Sequence, residues 1–373
     1  MSARAFLALG AALLIAGCGS SSGPKPAVLP ELGNAREVRL LWSARVGEAG
    51  HYVFIPALTQ EAVFAASRDG SVARFDAASG KEQWRVTAAR ALSAGVGAGA
   101  RTVAVATEDG EVIALDAADG KVRWRARVSS EVLAPPAVAA GAVIVRSVDS
   151  RVFAFAEDGG ERRWVYQRAP ASLMVRSPAG ITIDGDTAYA GFSGGKLAAI
   201  ALSNGGVRWE ATVSLPQGAT ELERVTDVVG APAIQGREVC VAAYQGRVAC
   251  YETASGRQLW AREMSSFNGV SLDARYAYVS DVRGALHAFD RTSGRSVWKQ
   301  DKLFLRQLSL PVPVGDAVAV GDFEGYVHFL ARDSGAFLAR FPAGGGAIKA
   351  PPLAGGKGVL VQTEGGSLYA LSL

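Results

Sequence analysis

The sequence predicts an all-β protein, an eight-bladed β-propeller of four-stranded antiparallel blades, and three observations carry that prediction. First, Trp84, Trp124, Trp164, Trp209, Trp260 and Trp298 each stand four residues after a glycine: Gly80, Gly120, Gly160, Gly205, Gly256 and Gly294. The seventh tryptophan, Trp42, lies 42 residues before Trp84, and the later gaps are 40, 40, 45, 51 and 38. A large side chain used only at such a period marks a repeat in the size range of propeller blades. Second, each repeat holds two alternating apolar runs joined by a short glycine turn, as in AVFAASRDGSVARFD over 62–76 and TVAVATEDGEVIALD over 102–116. That alternation is the signature of half-buried antiparallel strands. Third, the turn position recurs eight times, at Gly70, Gly110, Ser150, Gly195, Gly246, Gly284, Gly325 and Gly366.

The elements of one repeat follow from these turns. Six residues before each turn position lie Phe64, Ala104, Ile144, Tyr189, Cys240, Tyr278, Ala319 and Leu360; four after lie Arg74, Ala114, Ala154, Ala199, Cys250, Ala288, Phe329 and Ala370. Most of these pairs set a large residue against a small one, so they are expected to face each other across a hairpin. The pairing leaves a three-residue loop whose third residue takes a left-handed backbone, which suits glycine and strains Ser150. A second turn reads Asp76-Ala-Ala-Ser-Gly80, Asp116-Ala-Ala-Asp-Gly120 and Asp290-Arg-Thr-Ser-Gly294, with aspartate to bond the turn backbone and glycine to end it. Pro56, Pro136, Pro178, Pro232, Pro311 and Pro352 are expected to open the innermost, channel-lining strands, where a missing ladder donor is tolerated. The last repeat stops after its third strand at Leu373, and Val38–Val46, carrying Trp42, supplies a fourth that closes the ring. Among the repeats, the seventh has Ala339 in place of the tryptophan. The propeller is thus expected over 38–373.

Ahead of it, an apolar run from Ala5 to Ala16 follows Arg4, too short for a permanent span and placed as a secretory signal, 1–17. Ile15-Ala-Gly-Cys18 resembles the bacterial lipobox, which implies lipidation of Cys18 and a stable hold on the membrane through several acyl chains. Gly19 after the cysteine, where aspartate is absent, resembles the pattern of release to the outer membrane. Residues 18–37 are then the lipidated N-terminus and its tether, flexible over Ser20 to Pro30. A body that is 49% hydrophobic and 20% charged is a folded one, and a net charge of +4 scattered without a stripe excludes nucleic acid as a partner.

The repeat Asp-x-x-[Ser/Asp]-Gly-[Lys/Arg]-x-x-Trp, at Asp76–Trp84, Asp116–Trp124 and Asp290–Trp298, resembles the tryptophan-docking repeat of the pyrroloquinoline quinone (PQQ) dehydrogenase superfamily. There the indole of one blade packs on its neighbour. With the lipobox, the tether and eight repeats, the chain is similar to the BamB family, propeller lipoproteins of the outer-membrane β-barrel assembly machinery. That resemblance implies a non-enzymatic scaffold on the periplasmic face of the outer membrane, with the central barrel subunit BamA as partner and nascent outer-membrane proteins as further contacts. Leu173-Met-Val175-Arg176 resembles the family's Leu-x-Leu-Arg contact segment, and Ala219–Asp227 its acidic second contact loop. Partner binding by Leu173, Val175, Arg176 and Asp227 is therefore expected. Val175 replaces a leucine, and Val229 stands where a second aspartate belongs. Spacing alone favours Leu173 and Val175 as an apolar staple holding the loop to its blade, and the resemblance reverses that preference.

The alternatives are a PQQ-dependent oxidoreductase and an adaptor for another envelope complex. The enzymes of the superfamily carry a vicinal Cys-Cys disulfide and a calcium site; this chain has no adjacent cysteines, and no cofactor, metal or catalytic residue is expected. Cys240 and Cys250, on facing strands, suit either a cross-strand disulfide or two buried thiols. His287 and His328 fall in adjacent blades without visible carboxylate or thiol partners, a poor metal site.

Overall fold

A computed structural model describes residues 23–169, 171–356 and 358–373. Cys18 and the signal segment lie outside the described residues. Every regular element among those described is a strand, and the strands form eight four-stranded antiparallel sheets. In blade two, for example, Ala94–Ala98 is innermost, followed by Thr102–Ala106, Glu111–Asp116 and the outermost Val122–Arg127.

All eight facing pairs named above are register partners, from Phe64 opposite Arg74 to Leu360 opposite Ala370. Ser150 takes φ +64°, the left-handed geometry expected there. Blade five departs from the rule. Gln245 carries the left-handed φ of +46°, and Gly246 is needed for space instead, since a Cβ there would lie 2.8 Å from Ala243 Cβ and 2.9 Å from Ser214 Cβ. Pro232 also departs: it sits inside a nine-residue innermost strand, Asp227–Gln235, at a register shift between Val229 and Ala233 that spares its missing donor.

In all eight blades the outermost strand carries a bulge next to the tryptophan position. The extra residue re-aims the indole out of its own sheet. Each indole then lies on the second-turn glycine of the next blade, and its Nε1 donates to a carbonyl of that turn. Trp42 reaches Ala77 O at 3.0 Å, Trp84 Ala117 O at 3.1 Å, Trp124 Glu157 O at 2.8 Å and Trp164 Leu202 O at 2.8 Å. Trp209, Trp260 and Trp298 do the same to Thr253, Arg291 and Arg332 at 2.8, 2.6 and 2.8 Å. A Cβ on Gly80 would sit 2.5 Å from the Trp42 ring, so these glycines serve close approach as well as turning. Asp76 fixes its turn by accepting from Ser79 N at 2.8 Å and Ser79 Oγ at 2.6 Å, and those bonds hold its pKa below the ordinary value.

Blade eight explains the vacancy at Ala339. Its third strand, Ser367–Ser372, pairs with Arg39–Arg45 from the other end of the sequence, so no second turn joins them and an indole from blade seven has nothing to dock on. Ala339 packs instead among Ile348, Val359 and Leu371.

The tether expectation needs correcting. From Ala27 onward the segment is bonded to the propeller: Ala27 N donates to Phe304 O at 2.9 Å and Arg36 N to Leu338 O at 2.8 Å. The guanidiniums of Arg306 and Arg340 take the carbonyls of Ala27 and Pro30, both at 3.1 Å, a role that Ser/Gly/Pro composition does not reveal.

Candidate docking rim

The loops that connect successive blades and the first hairpin turns emerge on one rim. Leu173–Arg176 lies between blades three and four, and 213–226 between blades four and five. The structure brings these two loops together through an internal bond. Asp227 Oδ2 accepts from Val175 N at 2.5 Å and Oδ1 from Gly194 N at 3.2 Å.

That geometry corrects the role expected of Asp227. It is the first residue of an innermost strand and only 4% exposed, so its carboxylate clamps the Leu173 loop from inside instead of meeting a partner. Burial raises its pKa, opposed by the two N–H donors and by the buried Arg146 guanidinium. Arg146 itself donates to Ala179 O at 3.2 Å, and burial brings its pKa down to about 10.

Arg176 is engaged as well. Its guanidinium meets Glu131 in a two-pronged pair, Nη1–Oε2 2.5 Å and Nη2–Oε1 2.7 Å, and lies over the Tyr52 ring at 5.7 Å. The Tyr52 hydroxyl, with one proton to share, lies 2.6 Å from Glu108 and 3.1 Å from Glu131, so three connections between blades and the first turn of blade two meet around one phenol. Burial, then the bonds to Glu108 and Glu131, push the phenol's pKa up. The planar fork holds Arg176 in one direction while its outer edge stays in solvent. Val175 is half-buried, which leaves Leu173 as the apolar tip of the loop, 44% exposed.

Several rim residues were not singled out by sequence reasoning. Leu215 and Leu222, 72% exposed in the second case, stand on the loop between blades four and five. Phe267, on the next loop, stacks on Tyr244 of the blade-five turn with centroids 4.8 Å apart. The signal for Leu222 was present, an apolar residue within the polar Thr-Glu-Leu-Glu-Arg stretch. The Tyr52, Glu108 and Glu131 hub gives no such signal, because the two carboxylates lie 56 and 79 residues from the phenol they meet.

Away from the rim, Cys240 and Cys250 face each other at Cα–Cα 4.0 Å with their sulfurs joined, both fully buried. His287 and His328 each have a carboxylate partner within their own blade, Asp281 at 3.0 Å and Asp322 at 2.9 Å. The absence of partners assumed for them was mistaken; the aspartate stands six residues earlier in both cases. No group of three or more potential metal ligands occurs among the described residues.

Comparison with known proteins follows the same line. A family profile described as outer membrane protein assembly factor BamB matches residues 68–300. The outer membrane protein assembly factor BamB of Bordetella pertussis is 47% identical over 370 residues, covering 98% of this chain and 96% of its own. The crystal structure of BamB from Moraxella catarrhalis superposes with a TM-score of 0.84 at 26% identity, covering 90% of this chain and 100% of its own. A quinohemoprotein alcohol dehydrogenase from Comamonas testosteroni superposes with a TM-score of 0.70 at 14% identity, over 90% of this chain and 76% of its own, a likeness of fold alone. On its repeat, its ring and its identity with these relatives along nearly the whole chain, the protein belongs to the BamB family.

Proposed function

We propose that this protein is a non-enzymatic scaffold of outer-membrane protein assembly, anchored by lipid on Cys18 to the periplasmic face of the outer membrane after removal of residues 1–17. Its rim docks on the barrel-assembly subunit BamA and positions that subunit for insertion of nascent barrels. The assembly role of the relatives, assembly factors by name, supports this reading. The observation that carries the docking site is the Leu173–Arg176 loop: Asp227 clamps its backbone, Glu131 aims its arginine, and Leu173 is left in solvent. Preorganised apolar and guanidinium groups beside each other are what a binding hot spot requires, because little conformational entropy is lost on docking. Leu215, Leu222 and Phe267 extend the apolar face along the same rim.

The test is co-purification of BamA from native membranes. Leu173→Asp places a charge at the centre of the contact and Arg176→Ala removes its polar anchor, so each is expected to reduce recovery about tenfold or more, corresponding to ~1.4 kcal/mol or more. Undiminished recovery with both variants, in proteins that keep their fold, contradicts the rim assignment.

A further inference from the structure

The segment ahead of the ring-closing strand is held at both of its ends and at its middle. Ala27 is fixed by Phe304 O and by Arg306, in the connection between blades six and seven, on the rim that carries Leu173. Arg306 is 3% exposed and is itself held by the buried Asp322 at 2.7 Å and by Glu324. Leu29 packs into the apolar cluster of Trp298, Leu303 and Leu308, while Val28 beside it points to solvent. Pro30 O receives Arg340 from the outermost strand of blade seven, Phe337–Pro342. Arg36 bonds Leu338 O and pairs with Asp316 at 2.7 Å, in the turn between the first two strands of blade seven, on the opposite rim.

The segment therefore crosses the full height of blade seven. Its consequence is the place where the chain leaves the body. The ring-closing strand begins at Arg39, on the rim opposite Leu173; with 27–36 bound, the departure point moves to Phe304, on the Leu173 rim. We propose that residues 27–36 form a strap that orients the propeller on a lipid surface, bringing the anchor and the docking loops to the same face. The inference rests on the Cys18 anchor proposed above.

The lengths decide how strong the effect is. At about 3.5 Å per extended residue, the nine steps from Cys18 to Ala27 reach no more than ~30 Å, whereas the twenty steps to Val38 would reach ~70 Å. A short tether from one rim holds that rim near the membrane; a long tether from the other leaves the body free to turn over.

The experiment uses the full-length, lipidated protein on liposomes carrying an acceptor dye. A donor is placed at Arg283→Cys, on the first turn of blade six, or at Thr292→Cys, on the opposite rim of the same blade. Because a six-residue strand spans about 20 Å, energy transfer from position 283 is expected to exceed that from position 292 about twofold. Replacing Ala27–Leu32 by a Gly-Ser stretch of equal length, which alters no residue of the blades, is expected to bring the ratio to about one or reverse it. Equal transfer from both sites in the strapped protein overturns the inference while flotation with the liposomes upholds the anchor. Failure to float overturns the anchor and the orientation with it.

Discussion

Single residues here show how a sequence rule and a packing rule divide the work. Ser150 occupies a position whose backbone is left-handed in the other turns through glycine or, in blade five, through Gln245. It is buried, and its hydroxyl has no hydrogen-bond partner. Ser150→Gly removes both the Cβ conflict and the unpaired hydroxyl, and is expected to stabilise the protein by about 1–2 kcal/mol in denaturant unfolding. A loss of stability would mean that the hydroxyl has a partner after all. Asp227 illustrates the opposite limit. Its identity was readable as part of a contact motif, but its direction was not, because the two N–H groups it binds come from Val175 and Gly194, brought close only by the packing of blade five on blade four. The resemblance pointed to the Leu173 loop, and burial makes Asp227 an internal clamp of that loop.

Among elements, the joint between blades is the unit that the sequence stated most clearly. The spacing of tryptophan after the second-turn glycine and the recurrence of the first-turn residue are both local, and together they specified blade count, hairpin register and the closing strand. What it left out was the bulge beside each tryptophan, since two residues opposing one leave no trace in an alternation pattern. Trp124, nearly buried and bonded to Glu157 O, is expected to cost about 3–5 kcal/mol on truncation to alanine. Ala339→Trp, though it restores the repeat's consensus, is expected to destabilise by about 1–3 kcal/mol, because that joint offers no turn and no space. Thermal or denaturant unfolding of the two variants checks both, and a stabilising Ala339→Trp would refute the account of the eighth joint.

Blade seven also makes a pH prediction. His328 is buried between Asp322, which accepts from its Nε2, and Arg340, which donates to its Nδ1; Arg306 is the other nearby charge. Burial, the largest influence, lowers its pKa and outweighs the attraction of Asp322. A histidine with a depressed folded pKa contributes stability that is complete above its unfolded value of about 6.5 and is lost as pH falls through the folded value. The thermal midpoint is therefore expected to drop on acidification below about pH 6.5, and to drop less in His328→Gln, which keeps a donor and an acceptor in place. An identical slope in wild type and variant would remove His328 from the explanation.

At the scale of the whole molecule, the propeller sorts its residues by face. Seven of the eight innermost strands run two to five residues, the joints are packed and hydrogen-bonded, and the long irregular connections emerge on one rim. A rigid ring that carries irregular loops on one face is suited to positioning other proteins, and the shared fold of quinone dehydrogenases does not alter that, since chemistry belongs to sites and not to folds. The strap over blade seven escaped the sequence reading because Ser, Gly and Pro suggest freedom, whereas the arginines that bind it lie some 280–310 residues further on.

The proposed docking puts BamA on the rim bearing Leu173 and not on the opposite rim. Site-specific photocrosslinking in living cells tests it most directly, with a photoreactive side chain at Leu173 in one protein and at Asp119, on the opposite rim of blade two, in another. The expected result is an adduct with BamA from position 173 and none from position 119. An adduct from position 119 with none from position 173 would place the partner on the other face and contradict the account.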